Sequence, residues 1–326
     1  MNFAILDDFQ GAAASLPCME KLRACGELFV LRQHLSSETA LIEALQEVHI
    51  VIPMRERTRL TARVLEALPR LEMIAQTGGS APHLDMEAAT NRGIVVCMAS
   101  GSGGQSTAEL TFALMLAVLR RLPQEYQALR GGRWQTSIGV GLHGKTLGII
   151  GLGRIGSQVA RIAQAFGMRV LATGFTLTQA RALAHGVQMA ALEDLLARSD
   201  VVSIHLRLSE RSHKLIGRRE LRLMKPTAYL INTARGPIID EAALIDALRH
   251  RRIAGAGLDV FEQEPIDPGN PLLQLDNVVC TPHLGFVTQE TYERMLGSAV
   301  ENILSYLDGN PINVRNPQAL AQRQRQ

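Results

Sequence analysis

Residues 146–156 read Thr146-Leu-Gly-Ile-Ile-Gly151-Leu-Gly153-Arg-Ile-Gly156, and a helical stretch, Ser157–Phe166, follows directly. An apolar run that enters G-x-G-x-x-G and leaves as a helix is the setting in which that motif signals a dinucleotide site rather than a chance pattern. Gly151 permits the tight turn, Gly153 lets the backbone approach a pyrophosphate, and Gly156 lets helix and strand pack closely. The helix start then offers free N–H groups and the positive end of its dipole to the phosphates. The bland alternative is a tight strand-to-helix turn that holds no ligand.

Outward from this motif, short apolar runs alternate with helical patterns along the whole chain. Strands are expected at Phe3–Leu6, Leu28–Leu31, Ile50–Met54, Met73–Gln76 and Val95–Met98. The series resumes at Thr146–Ile150, Arg169–Ala172, Val201–His205, Ala228–Asn232, Ala256–Val260 and Val278–Thr281. Helical segments lie between them, among them Glu38–Glu47, Ala62–Leu68, Ser106–Arg121 and Glu241–His250. Such alternation predicts an α/β chain with two doubly wound parallel sheets covered by helices on both faces. The tract Ser100–Gly104 (SGSGG) precedes the long helix and suits a hinge between domains. Arg130–Leu142, with the single tryptophan Trp134, reads as a long loop, and the polar end after Pro317 reads as frayed.

The 326 residues suit roughly two domains at about 100–200 residues each. With 46% apolar and 20% charged residues the chain is globular, and collagen, coiled-coil and small disulfide scaffolds are excluded. The longest apolar stretch, Leu110–Leu119, is too short to span a bilayer, and the N-terminus lacks the basic region of a signal peptide. A net charge of +3 gives no argument for nucleic acid or a membrane surface. Cys18, Cys25, Cys97 and Cys280 have no metal or redox spacing, and no Cys/His set suits a metal, so a reduced, cytoplasmic, metal-free protein is expected.

A carboxylate that would bind a ribose 2′-hydroxyl belongs about 20 residues past the glycine motif, at the end of the second strand. Here Thr173 and Gly174 end that strand, and no Asp or Glu occurs from Tyr126 to Leu192. A 2′-phosphate would meet no repulsion, so the expected cofactor is NAD or NADP; Thr173 and Thr176 can hydrogen-bond either.

Three polar clusters lie just past strand ends, where ligands bind in doubly wound sheets. They are Asn232-Thr-Ala-Arg235-Gly-Pro, Asp259-Val-Phe-Glu-Gln-Glu264-Pro and Thr281-Pro-His283-Leu-Gly285. An Arg can grip a carboxylate with two hydrogen bonds, a His can exchange protons near neutral pH, and a Glu can fix its ring. Beside a nicotinamide, such a set suits hydride transfer between a 2-oxo acid and a 2-hydroxy acid. Singly, Arg235 could cap a strand end, Glu264 could be one more loop acid and His283 a turn histidine.

In these four motifs and their order, the sequence resembles the D-isomer-specific 2-hydroxyacid dehydrogenases, which include phosphoglycerate dehydrogenases and glyoxylate/hydroxypyruvate reductases. The resemblance implies that Arg235 binds the substrate carboxylate and carbonyl, that His283 is the acid/base and that Glu264 pairs with it. It places Asp259 near the nicotinamide amide and adds Thr107, Arg154, Ile155, Thr233, Ala234 and Gly285 to the cofactor contacts. Gly79 and Ser80 match the loop whose N–H groups meet the substrate carboxylate. It implies a Rossmann cofactor domain, residues 102–288, inserted into a flavodoxin-like substrate domain, residues 1–101 plus 289–326. The active site would lie between them, with closure excluding water. The helix Thr288–Leu307 would cross back. A homodimer is implied, with the long helix and the loop around Trp134 packing on the partner.

The chain departs from the family pattern in three places. Pro82 and His83 alter the substrate loop Thr77–Asp85, Gly174 replaces the acid, and Arg207 stands where a proline is usual. Arg207 could lie near the adenosine end. His83 could line the pocket or be an ordinary turn histidine. Competing readings on the same fold are a formate- or phosphite-oxidising relative and, from another class, a dinucleotide-sensing, corepressor-like regulator.

Overall fold

The computed structural model describes residues 1–99 and 104–323. Most of the tract expected to be a hinge, residues 100–103, lies outside the described residues. The chain divides into two compact units, Met1–Ser102 with Thr288–Gln326, and Gly103–Val287.

The first unit is built on five parallel strands, β1 (Asn2–Leu6), β2 (Glu27–Val30), β3 (Ile50–Pro53), β4 (Met73–Gln76) and β5 (Val95–Met98), in the order β2-β1-β3-β4-β5. Central strands β3 and β4 are buried along their whole length, as a sheet covered on both faces requires. Side chains Ala4, Leu6, Val51, Ile74 and Val96 pack on Leu41, Leu45, Val64 and Leu65 from the helices Glu38–Leu45 and Ala62–Glu66. The helix Gln289–Leu307 also belongs to this unit, and its Tyr292 hydroxyl donates to Gln10 Oε1 at 2.9 Å. The end read as frayed instead forms the helix Gln318–Arg323. Ala319 is its buried side chain, and residues 324–326 of that end lie outside the described residues.

The second unit carries seven parallel strands: β6 (Thr146–Ile150), β7 (Arg169–Thr173), β8 (Gln188–Met189), β9 (Val201–Ile204), β10 (Tyr229–Asn232), β11 (Gly255–Leu258) and β12 (Val278–Cys280). Their order is β12-β11-β10-β9-β6-β7-β8. Strand alternation sorts the side chains onto two cores. Leu147, Ile149, Val170, Ala172 and Val201 face one; Ile150, Leu171, Val202 and Ile204 face the other. Gly148 has no side chain because the helix Leu192–Arg198 presses there, where an added Cβ would stand 2.5 Å from Leu195 Cδ2.

The edge strand β8 was not anticipated; it is two exposed residues with no apolar run to betray it. The helix after the glycine motif starts at Arg154, three residues before the expected Ser157, because the motif's last turn is already helical. The segment after the helix Leu122–Arg130 has no regular structure, yet Glu125 pins it, accepting from Thr136 N at 3.1 Å, Thr136 Oγ1 at 2.8 Å and Ser137 Oγ. Among the described residues no helix is long and apolar enough to cross a membrane. All four cysteines are free thiols, and burial pushes Cys97 up to about 11 and, with Glu241 adding to it, Cys280 up to about 12.

Candidate active site

Strand register assembles the candidate residues of the second unit. Thr173 pairs with Ile150, Ile150 with Ile204, Ile204 with Asn232, Asn232 with Leu258 and Leu258 with Cys280. One row therefore runs across the sheet, and Gly174, Gly151, His205, Thr233, Asp259 and Thr281 are the residues that leave it. The strand order reverses between β6 and β9, the position at which open α/β sheets bind ligands.

The glycine turn fits a dinucleotide. Gly151 has φ +105°, and a Cβ on it would lie 2.7 Å from His205 O, so only glycine suits the turn. Gly156 packs its backbone on Gly151, where a Cβ would stand 2.1 Å from the Gly151 carbonyl oxygen. By contrast, a Cβ on Gly153 would meet nothing within 4 Å. That open space faces the start of the helix Arg154–Ala165, which has no side-chain cap. The N–H groups of Arg154, Ile155 and Gly156 are the donors such a helix start presents to an anion. An open glycine beside an uncapped helix start is what a pyrophosphate needs.

At the other end of the row, Asp259 is fully buried and holds the loop that carries His283. Its Oδ1 accepts from Thr281 Oγ1 at 2.6 Å and Leu284 N at 2.7 Å, and its Oδ2 from Gly285 N at 2.8 Å. Its carbonyl oxygen accepts from His283 N at 2.9 Å. Burial raises the Asp259 carboxyl above its usual range; the donors from Thr281 and Leu284 and the nearby His283 act against that. The buried Thr107 hydroxyl donates to Gly285 O at 2.8 Å, and Thr111 links Thr107 O (2.8 Å) to Thr233 Oγ1 (2.9 Å).

His283 sits in the left-handed region, φ +54°, with its ring edge-on to Phe286 at 5.7 Å. Its Nδ1 lies 2.6 Å from Glu264 Oε2. The other carboxylate oxygen accepts from Phe261 N at 3.0 Å. Burial would raise the Glu264 carboxyl, but the hydrogen bond and charge of His283, the Phe261 N–H and the charge of Arg235 together hold it below the usual range. Arg235 is half-buried in a turn knitted by Asn232, whose Nδ2 donates to Arg235 O at 3.0 Å and whose Oδ1 accepts from Ala234 N at 3.0 Å. The turn lies against the Glu264 segment, since a Cβ on Gly236 would collide with the Phe261 carbonyl at 1.9 Å.

Arg235, Glu264 and His283 are thus brought together. Among the expected cofactor contacts, Asp259, Thr107 and Thr233 commit polar atoms to internal hydrogen bonds, while Gly151, Gly153, Arg154, Ile155, Gly156 and Thr173 line the glycine turn and the strand end beside it. Ala234 is buried and Gly285 is gripped by Asp259 and Thr107. Two supporting residues escaped the sequence reading. Thr281 opens the Thr281–Gly285 motif, and Thr111 stands one helical turn after Thr107, a spacing that shares a face.

In the first unit, Gly79 and Ser80 are exposed at the end of β4, and a Cβ on Gly79 would meet nothing. Thr77 ties this loop to the end of β3, donating to Pro53 O at 2.6 Å and accepting from Arg55 N at 2.8 Å. His83 is buried, with no hydrogen-bond partner for either ring nitrogen, and burial lowers it to about 4. The unfolded chain, with a histidine near the ordinary 6.5, binds this proton between those values while the folded chain does not. Stability is therefore full above about pH 6.5 and falls on acidification. Between about pH 7.5 and about pH 5 the wild type should lose on the order of 2 kcal/mol more than His83→Gln in urea unfolding. Equal losses would contradict this.

The D-isomer specific 2-hydroxyacid dehydrogenase, NAD binding domain, matches residues 112–285. A glyoxylate reductase from Korarchaeum cryptofilum is 40% identical over 294 residues, 88% of this chain and 88% of that protein. A D-3-phosphoglycerate dehydrogenase from Archaeoglobus fulgidus is 40% identical over 274 residues, 83% of this chain but 52% of that protein, so the chain spans about half of its length. The solved phosphoglycerate oxidoreductase from Vibrio cholerae superposes with a TM-score of 0.91 at 36% identity, covering 95% of this chain and 99% of that one. With that fold, this glycine turn and these matches, the chain belongs to the D-isomer-specific 2-hydroxyacid dehydrogenases, oxidoreductases that work with a nicotinamide dinucleotide.

Proposed function

We propose that the protein reduces a 2-oxo acid to the D-2-hydroxy acid, reversibly, with Arg235, Glu264 and His283 as its catalytic residues. The observation that carries this reading is the 2.6 Å contact of His283 Nδ1 with Glu264 Oε2. With Nδ1 committed to the carboxylate, Nε2 is the ring atom left to exchange a proton with substrate. The nicotinamide, when bound, supplies or takes the hydride. The protein's own residues do the rest. Arg235 grips the substrate carboxylate with its fork and polarises the neighbouring carbonyl. His283 Nε2 gives a proton to the carbonyl oxygen as it becomes a hydroxyl, and takes it back in the reverse direction. Glu264 holds the ring, and Asp259 positions the loop beneath it in addition to the carboxamide contact the resemblance assigns. Gly79 and Ser80 offer backbone N–H groups to the substrate carboxylate, and Gly151–Gly156 carry the pyrophosphate.

In this reading residues 102–288 form the cofactor domain, and residues 1–101 with 289–326 the substrate domain. The cofactor is NAD or NADP, since Gly174 leaves no carboxylate against a 2′-phosphate. The four free cysteines fit a reducing, cytoplasmic setting. The exposed apolar side chains Leu122, Tyr126, Leu129, Trp134 (76%) and Ile138 (97%) support a homodimer through this face. Sedimentation equilibrium should give twice 35.6 kDa; a monomer at micromolar concentration would contradict it.

The reaction is tested by following absorbance of NADH and NADPH separately against glyoxylate, hydroxypyruvate, pyruvate and bulkier 2-oxo acids. Cofactor oxidation with at least one is expected. Tight cofactor binding without turnover on any would favour a dinucleotide sensor.

A further inference from the structure

The strand register sets the ends of β7 and β9 on either side of the glycine turn. Past the end of β7, where a carboxylate would contact the ribose, stands Gly174. A Cβ there would be in ordinary contact, 3.6 Å from Leu177 Cβ and 3.7 Å from Gly151 Cα, so a side chain would be tolerated without a clash and none is present. The next residue, Phe175, is exposed (42%). Over its ring, 4.2 Å from the centroid, lies the guanidinium of Arg211, from the segment that leaves β9.

That segment is a built turn. The buried Ser212 hydroxyl accepts from Ser209 N at 2.8 Å and donates to Arg207 O at 2.7 Å, which fixes the backbone beside Arg211. The facing loop is fixed as well. Arg181 spans it, donating from Nη2 to Leu152 O at 2.9 Å and from Nη1 to Thr176 O at 3.2 Å. Among the described residues neither Arg207 nor Arg211 has a carboxylate partner, although Glu210 stands between them in the chain and Glu193 is the first acid after Tyr126. A planar guanidinium laid on a ring keeps its N–H edges available, and a phosphate dianion is the ligand those edges suit.

We infer that Arg211, parked on Phe175, is the specificity-determining residue that binds a ribose 2′-phosphate, and that the protein selects NADP(H) over NAD(H). This rests on the second unit being a dinucleotide site. Gly174 leaves room for the phosphate, Phe175 aims the guanidinium at it, and Arg207 adds positive charge from the same turn.

The test is calorimetric titration of the full chain with adenosine 2′,5′-bisphosphate and with 5′-AMP, which needs no turnover. The bisphosphate should bind at least about tenfold more tightly, as a charge-assisted contact implies. Arg211→Ala should bring the two within about twofold and leave 5′-AMP unchanged. Gly174→Asp, for which there is room, should weaken the bisphosphate about tenfold or more while 5′-AMP holds. Equal affinities in the wild type, or an Arg211→Ala variant that weakens both ligands alike, would overturn the inference and leave the dinucleotide site standing. A wild type that binds neither these ligands nor NADH would overturn the dinucleotide reading itself.

Discussion

His283→Ala should lower kcat for 2-oxo acid reduction about a thousandfold, within the range a positioned acid/base supplies, and leave the Kd of the reduced cofactor within about twofold. The side chain lost is the one whose Nδ1 is held by Glu264 and whose backbone is held by Asp259. His205 is no substitute, because it is tied to Ser203 at 2.8 Å and lowered to about 4 by burial. The cofactor's pyrophosphate would meet the glycine turn, which the substitution does not touch. Steady-state kinetics with fluorescence titration separate the two quantities. A kcat within tenfold of wild type would remove His283 from the reaction.

Arg235→Lys should reduce kcat/KM about a hundredfold, chiefly through KM, although the charge is kept. An ammonium offers a point charge where the guanidinium offers two parallel donors, so one hydrogen bond to the substrate carboxylate and the alignment of its carbonyl are lost. The turn itself should persist, because Asn232 knits it through backbone atoms of Ala234 and Arg235. A loss below about threefold would mean that no carboxylate is gripped there.

Much of this site is legible in the sequence because parallel strands end in register. Each motif lies just past a strand end, and one row from Thr173 to Cys280 makes those ends neighbours. The glycine roles were legible for the same reason: turn, approach and packing impose different steric demands at Gly151, Gly153 and Gly156, and the three surroundings differ accordingly. What stayed hidden depends on tertiary partners. Nothing in the local sequence says that Asp259 is the hub of the His283 loop, that Thr281 and Thr111 complete its network, or that Arg211 lies on Phe175. His83 reads as a turn residue and lies in a turn, but only packing shows that it is buried with neither ring nitrogen partnered. Strand β8 (two residues) and the helix Gln318–Arg323 (six residues) are too short for any period to show.

The most direct test of the catalytic account is to supply NADH or NADPH carrying deuterium at both hydrogens of nicotinamide C4, together with an accepted 2-oxo acid longer than glyoxylate, and to analyse the product by chiral chromatography and mass spectrometry. The account predicts a D-2-hydroxy acid carrying one deuterium at C2, absent when His283→Ala replaces the wild type. An L-product, or a hydroxy acid without deuterium at C2, would contradict it.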